Sequence, residues 1–174
     1  MPGFNIGSDA SSEASITVTT HRSHRWRITS LGEGLINKPT MLYAKSIQLP
    51  GFSIEEEIVV GASIKYKFAK TVNWEDVSLS FYDVMGMIGD MRTWQDKVYT
   101  NGEGINSAND YKKTSSFILT DGVGESTGPT FTLKNSWPKS ISHSELSYDN
   151  SEIKLINMIL SYDWAEIEAP SQPQ

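Results

Sequence analysis

Alternation of apolar and polar positions dominates this chain. In the run 24–30, Trp26 and Ile28 fall on one side and Arg25, Arg27 and Thr29 on the other. The run 63–70 alternates as cleanly, with Ile64, Tyr66 and Phe68 opposed to Lys65 and Lys67. Val77, Leu79 and Phe81 form a further inward face, and Ile156, Met158, Leu160, Tyr162 and Trp164 share one side of a long closing strand. A period of two is the signature of a strand with one covered face. Shorter strands are expected at Ile16 and Val18, at 41–49 up to the corner Pro50-Gly51, at 113–120, and at Phe131 and Leu133 leading into Trp137-Pro138. The sequence Tyr148-Asp149-Asn150-Ser151 supplies turn chemistry before the closing strand.

One stretch breaks the pattern. Over 83–99, Val84, Met87, Ile88, Met91, Trp94 and Val98 recur at spacings of three and four. That spacing predicts one amphipathic helix of about four turns, with Asp83 as N-cap and Asn101-Gly102 as the stop. Gly86 and Gly89 weaken such a helix and would let it approach a sheet closely. The elements together predict a mainly β domain, a β-sandwich or barrel of antiparallel sheets with one helix. Its expected core is Ile64, Tyr66, Phe68, Val77, Leu79, Phe81, Trp94, Leu160 and Tyr162. Residues 1–13 read as a flexible arm, 14–167 as the domain, and 168–174 as a flexible tail.

Composition narrows the function classes. At 174 residues the length suits one domain with a real core. No apolar run approaches the ~20 residues of a membrane helix, and the first ten residues lack the basic start and apolar centre of a secretory signal. The absence of cysteine removes disulfides and thiolate metal sites, and fits a chain made in a reducing cytoplasm. The net charge of −6 is uneven: residues 51–110 carry ten acidic against five basic side chains, whereas residues 1–50 carry three against five. An acidic body argues against wrapping nucleic acid, which needs clustered Lys and Arg.

Candidate chemistry is sparse. His21 and His24, three apart on a strand, would point to opposite faces and lack a carboxylate or thiolate partner for a metal. No Gly-x-Ser-x-Gly stands between a strand and a helix, and Gly102-Glu103-Gly104 and Gly122-Val123-Gly124 lack the frame of a nucleotide fingerprint. Glu75-Asp76 and Glu55-Glu56-Glu57 could do acid–base work, but adjacent acids on a strand read more simply as a solvated edge. Arg22, Arg25 and Arg27 form the only basic cluster, read as surface or interface. Neither a catalytic residue nor a cofactor is expected.

Several pieces in order carry a family resemblance: Leu49-Pro50-Gly51, then Trp74-Glu75-Asp76-Val77-Ser78-Leu79, the helix with Trp94, and Tyr111-Lys112-Lys113. Trp137-Pro138 follows, then Glu145-Leu146-Ser147-Tyr148-Asp149, Ser151-Glu152-Ile153, and Leu160-Ser161-Tyr162-Asp163-Trp164. Over 26–164 this set resembles the tail tube proteins of T4-like contractile bacteriophages. The resemblance implies a β-sandwich plus one helix that forms hexameric rings stacked into a tube, with one sheet of each subunit joining a continuous barrel around the lumen. It implies a structural, non-enzymatic role in a virion tail assembled in the host cytoplasm. The implied partners are copies of the chain, a tail sheath protein, baseplate and tail-terminator proteins, and double-stranded DNA that passes the lumen without specific binding; no membrane partner is implied. Glu55, Glu56, Glu57, Arg22, Arg25, Lys65 and Lys67, with the loop 101–110, are the interface or lumen candidates. Two other roles fit the same residues: a baseplate-to-tube junction or tube-initiating ring, and a ligand-binding β-sandwich with Trp74 and Trp137 as exposed platforms.

Overall fold

The computed structural model describes residues 25–36, 42–84, 86–120, 128–145 and 153–169. The arm 1–13, the strand expected at Ile16 and Val18, both paired histidines, Arg22, the turn 148–151 and most of the tail lie outside them. The described chain is mainly β, with antiparallel sheets and a single helix of any length, as the alternation predicts.

Strands β1 (Trp26–Ser30), β2 (Ala44–Ile47), β5 (Val77–Tyr82), β8 (Lys113–Leu119), β9 (Thr130–His143), β10 (Leu155–Ser161) and β11 (Trp164–Glu168) make one sheet. Its order is β1-β8-β9-β10-β5-β2, with β11 also paired to β9. Strand β9 is the hinge of the architecture. Its first half lies between β8 and β11, and its second half pairs with β10. At Asn135 the backbone turns to φ 57°, and the buried positions shift from Phe131 and Leu133 to Ser136 and Pro138. One irregular residue thus inverts the phase of the strand and lets the sheet fold over its own core.

That core joins Ile28, Phe117, Phe131 and Leu133 from one half to Val77, Leu79, Phe81, Ile156, Met158 and Leu160 from the other. Helix α1 (Met87–Val98) closes it with Met87, Met91 and Trp94. The helix begins later than its apolar spacing suggests. Gly86, at φ 96°, precedes it without a side-chain cap, while the Asp83 carboxylate is held by Lys154 at 2.9 Å instead of capping a turn. A β carbon at Gly86 or Gly89 would meet nothing, so neither glycine serves a close approach. Gly32 does: at φ +60° its α carbon lies against the Trp94 ring, and a β carbon there would come within 3.1 Å of it. The Trp94 indole N–H donates to the Tyr111 carbonyl at 2.9 Å, fixing the one-turn helix α2 (Ala108–Tyr111) beneath α1. The expected loop 101–110 includes part of α2 and the strand β7 (Gly104–Ile105), which pairs back with β6 (Tyr99–Thr100) just before the loop.

Two buried serines are satisfied in series. Ser136 Oγ donates to the Lys113 carbonyl at 2.7 Å, so Ser115 Oγ must donate to Ser136 Oγ at 2.8 Å and accept from the Gly32 N–H at 3.0 Å. The closing strand expected over 156–164 is interrupted at Tyr162-Asp163. Ile156, Met158, Leu160 and Tyr162 enter the core, but Trp164 starts β11 and is 42% exposed. The interruption is where the chain crosses from one half of the folded sheet to the other. Asp163 secures this corner: its carboxylate accepts from Lys112 Nζ at 2.8 Å and from Asn135 Nδ2 at 2.8 Å.

Candidate assembly interface

Strands β3 (Phe52–Val60) and β4 (Lys65–Trp74) pair with each other and, among the described residues, with no other strand. They form a hairpin whose turn is closed by the Gly61 N–H on the Ile64 carbonyl at 2.9 Å. The register runs from Phe52 opposite Trp74 to Val60 opposite Lys65, with a bulge between Ile54 and Glu56. Every residue of β3 is exposed, and so is every residue of β4 except Trp74.

This corrects the core expected from sequence. Phe68 is 55% exposed and Tyr66 and Ile64 are comparable, whereas Phe81 is completely buried. The alternation itself is real, but among the described residues no second layer covers it. Because opposite residues share a face, Phe52, Ile54, Glu56, Ile58 and Val60 lie with Trp74, Val72, Ala69, Lys67 and Lys65 on one side. Ser53, Glu55, Glu57 and Val59 lie with Asn73, Phe68 and Tyr66 on the other. Both sides present apolar groups to solvent, an arrangement that invites pairing or covering by another chain.

The root of the hairpin is well fixed. Trp74 packs against Phe52 with ring centroids 5.0 Å apart and against Tyr162 at 5.9 Å, which connects the hairpin to the core. The Glu75 N–H donates to the Gly51 carbonyl at 2.9 Å, and the Asp76 carboxylate pairs with Lys139 of β9 at 2.6 Å. The Tyr162 hydroxyl is buried with no hydrogen-bond partner. Its pKa is pushed up to about 12, first by burial and then by the Asp76 and Glu75 carboxylates. Lys112 beside Asp163 holds that carboxyl below its usual range, against an opposing burial effect and with help from Asn135.

Of the interface candidates, Glu55, Glu56, Glu57, Lys65 and Lys67 come together on the hairpin. Glu56 pairs with Lys67 at 2.9 Å and Glu55 accepts from Asn73 Nδ2 at 2.8 Å. Arg25 stands apart at the start of β1, where its carbonyl accepts from the Thr120 N–H; Arg22 lies outside the described residues. Trp74 is enclosed by Phe52 and Tyr162, and Trp137 meets Tyr111 edge-on at 5.9 Å, so neither ring stands alone on the surface. The sequence reading missed the exposure of Phe52, Ile54 and Val72. The available signal was the three consecutive glutamates of β3 and Lys65, Lys67 and Lys70 of β4, together with apolar residues on both faces, a combination that a strand inside a closed core does not tolerate.

No protein-family model and no curated protein matches this sequence. Its fold, however, has solved counterparts. A chain in the structure of the anti-feeding prophage tube-terminating cap superposes with a TM-score of 0.72 at 18% identity, covering 92% of this chain and 99% of that one. A chain of the sheath/tube terminator of the extracellular contractile injection system PVC gives 0.71 at 16% identity, covering 89% and 100%. A chain of the PVC sheath–tube complex gives 0.61 at 16% identity, covering 81% and 99%. The fold is that of contractile-system tube and tube-cap proteins.

Proposed function

We propose that this chain is a structural, non-enzymatic subunit of a contractile tail or injection tube, closing into hexameric rings that stack into a hollow cylinder. The observation that carries this reading is the β3–β4 hairpin: a rooted two-stranded ribbon with exposed apolar groups on both sides. An isolated ribbon of this kind is marginal in water. Hairpins from successive copies supply each other with the missing strand neighbours and close a barrel around the channel. The fold shared with tube and tube-cap chains supports the same reading. In the assembled particle the chain contacts its own copies, a sheath protein, and baseplate and terminator proteins. The acidic middle of the sequence suits a channel through which double-stranded DNA passes without adhering. On this reading the protein resides in the tail of a virion or an injection particle assembled in the producing cytoplasm.

Electron microscopy of the purified protein at raised concentration tests this. Rings or tubes are expected; a monodisperse monomer under all tube-forming conditions would overturn it. A second reading, a ring that terminates the tube, is favoured by the closer superposition on the cap and terminator chains than on the sheath–tube chain. Counting copies per particle separates the two: one ring's worth for a terminator, many rings' worth for the tube wall.

A further inference from the structure

The two strands of the hairpin carry opposite charge. Strand β3 has Glu55, Glu56 and Glu57 and no basic residue; β4 has Lys65, Lys67 and Lys70 and no acidic one. The simplest account, that these groups neutralise each other across the hairpin, fails on the register. Only Glu56 and Lys67 form an ion pair. Glu57 lies opposite Phe68, and Lys65 lies opposite Val60. Among the described residues, Glu57, Lys65 and Lys70 have no ionic partner, and Glu55 is matched only by a neutral amide.

We propose that these charges code the edges of the hairpin, so that the acidic β3 edge of one copy pairs with the basic β4 edge of the next. The inference rests on the tube reading above and names its contact. Two copies can join hairpins edge to edge in two ways. A twofold axis sets β3 against β3, or β4 against β4, while rotation about a ring axis sets β4 of one copy beside β3 of its neighbour. Both arrangements are antiparallel, so backbone hydrogen bonding does not choose between them. Charge does. The twofold pairing sets the glutamate strand against itself or the lysine strand against itself, whereas the rotational pairing sets the lysine strand against the glutamate strand. Opposite charges directly across a strand pair stabilise it and like charges destabilise it. The heterologous contact repeats around an axis and closes into a ring, and the isologous dimer is selected against.

The test uses three variants of the full chain that leave the Glu56–Lys67 pair intact. E55K/E57K makes both edges predominantly basic, K65E/K70E makes both predominantly acidic, and the fourfold change exchanges the two edges. Sedimentation velocity and electron microscopy at low salt read the assembled fraction. Each double variant alone is expected to lose assembly at least tenfold. An equimolar mixture of the two is expected to recover it, and the fourfold variant to assemble unaided. Rescue by mixing cannot come from unfolded chains, so it also shows that the substitutions leave the fold intact. Double variants that assemble alone like the original chain overturn the edge code while leaving the tube reading standing. So does a mixture that stays monomeric alongside a fourfold variant that also stays monomeric. An original chain that never assembles overturns the tube reading and this contact with it.

Discussion

The closed body and the projecting hairpin are built from the same kind of strand. Val77, Leu79 and Phe81 of β5 are nearly or wholly inaccessible, while Tyr66 and Phe68 of β4 have the same spacing and stand in solvent. What differs is the presence of a second layer. Strand β5 lies between β2 and β10 with α1 over the core it faces; among the described residues β4 has one strand neighbour, and beyond Trp74 at its root all of it is exposed. Residue chemistry sets which side of a strand is apolar. Topology decides whether that side is satisfied within one molecule or between several. The body should therefore respond to substitution by losing stability, and the hairpin by losing partners.

The largest expected effect lies in the body. Trp94→Ala removes a fully buried indole and its hydrogen bond to Tyr111, and should lower the unfolding free energy by about 3–5 kcal/mol in a urea titration. Gly32→Ala comes next. A left-handed backbone at a non-glycine residue costs about 1–2 kcal/mol, and the new methyl group must also press on the Trp94 ring. At the β10–β11 corner, Asp163→Asn should cost about 1 kcal/mol or less at neutral pH, because the carboxylate is partly solvated. Its clearer signature is in acid. A carboxyl held below its usual range stabilises the fold above the unfolded-state range and loses that contribution as pH falls through its lowered folded value. The variant should flatten this acid limb of a thermal-melting profile.

Tyr162→Phe works at the opposite end of the pH scale. The phenol titrates near 10 when unfolded and near 12 when folded because burial and the two carboxylates disfavour its ionised form, so stability is undiminished below pH 10 and declines as pH rises from 10 towards 12. The phenylalanine variant should lack that alkaline decline and should be no less stable at pH 7, since the hydroxyl it removes has no partner. The smallest stability effect is expected in the hairpin. Ile58→Ser and Phe68→Ser should each change the monomer's unfolding by less than about 0.5 kcal/mol while reducing assembly in the microscopy described above. A large loss of monomer stability from either would mean that the hairpin is covered by its own body, and would erase the contrast between the two regions.

The sequence reading succeeded where local pattern and tertiary role coincide. Ile156, Met158 and Leu160 alternate and are buried; Met87, Met91 and Trp94 recur at helical spacing and are buried. It failed where a neighbour distant in sequence decides the outcome. The spacing of Tyr66 and Phe68 by itself is the same as that of a covered face, and only the charges around them and the strand pairing mark it as open among the described residues. Nothing local in Tyr162-Asp163 reveals that Lys112 and Asn135 converge there to turn the chain from β10 into β11. Asp83 has the chemistry of a helix cap, yet Lys154, seventy-one positions away in sequence, takes its carboxylate. The family resemblance named the hairpin's charged residues as contacts without placing them on a free ribbon. That placement needed the strand pairing.

Strand β9 gives the root of the hairpin a mechanical meaning. A pull on the ribbon reaches Tyr162 through the Phe52–Trp74 rings and reaches Lys139 through Asp76. Lys139 lies in the second half of β9, and Tyr162 is followed by the residue tied to Asn135 at that strand's bend. Tension on the arm is therefore delivered to the longest strand of the sheet and shared between both of its halves, so it does not peel a single edge away.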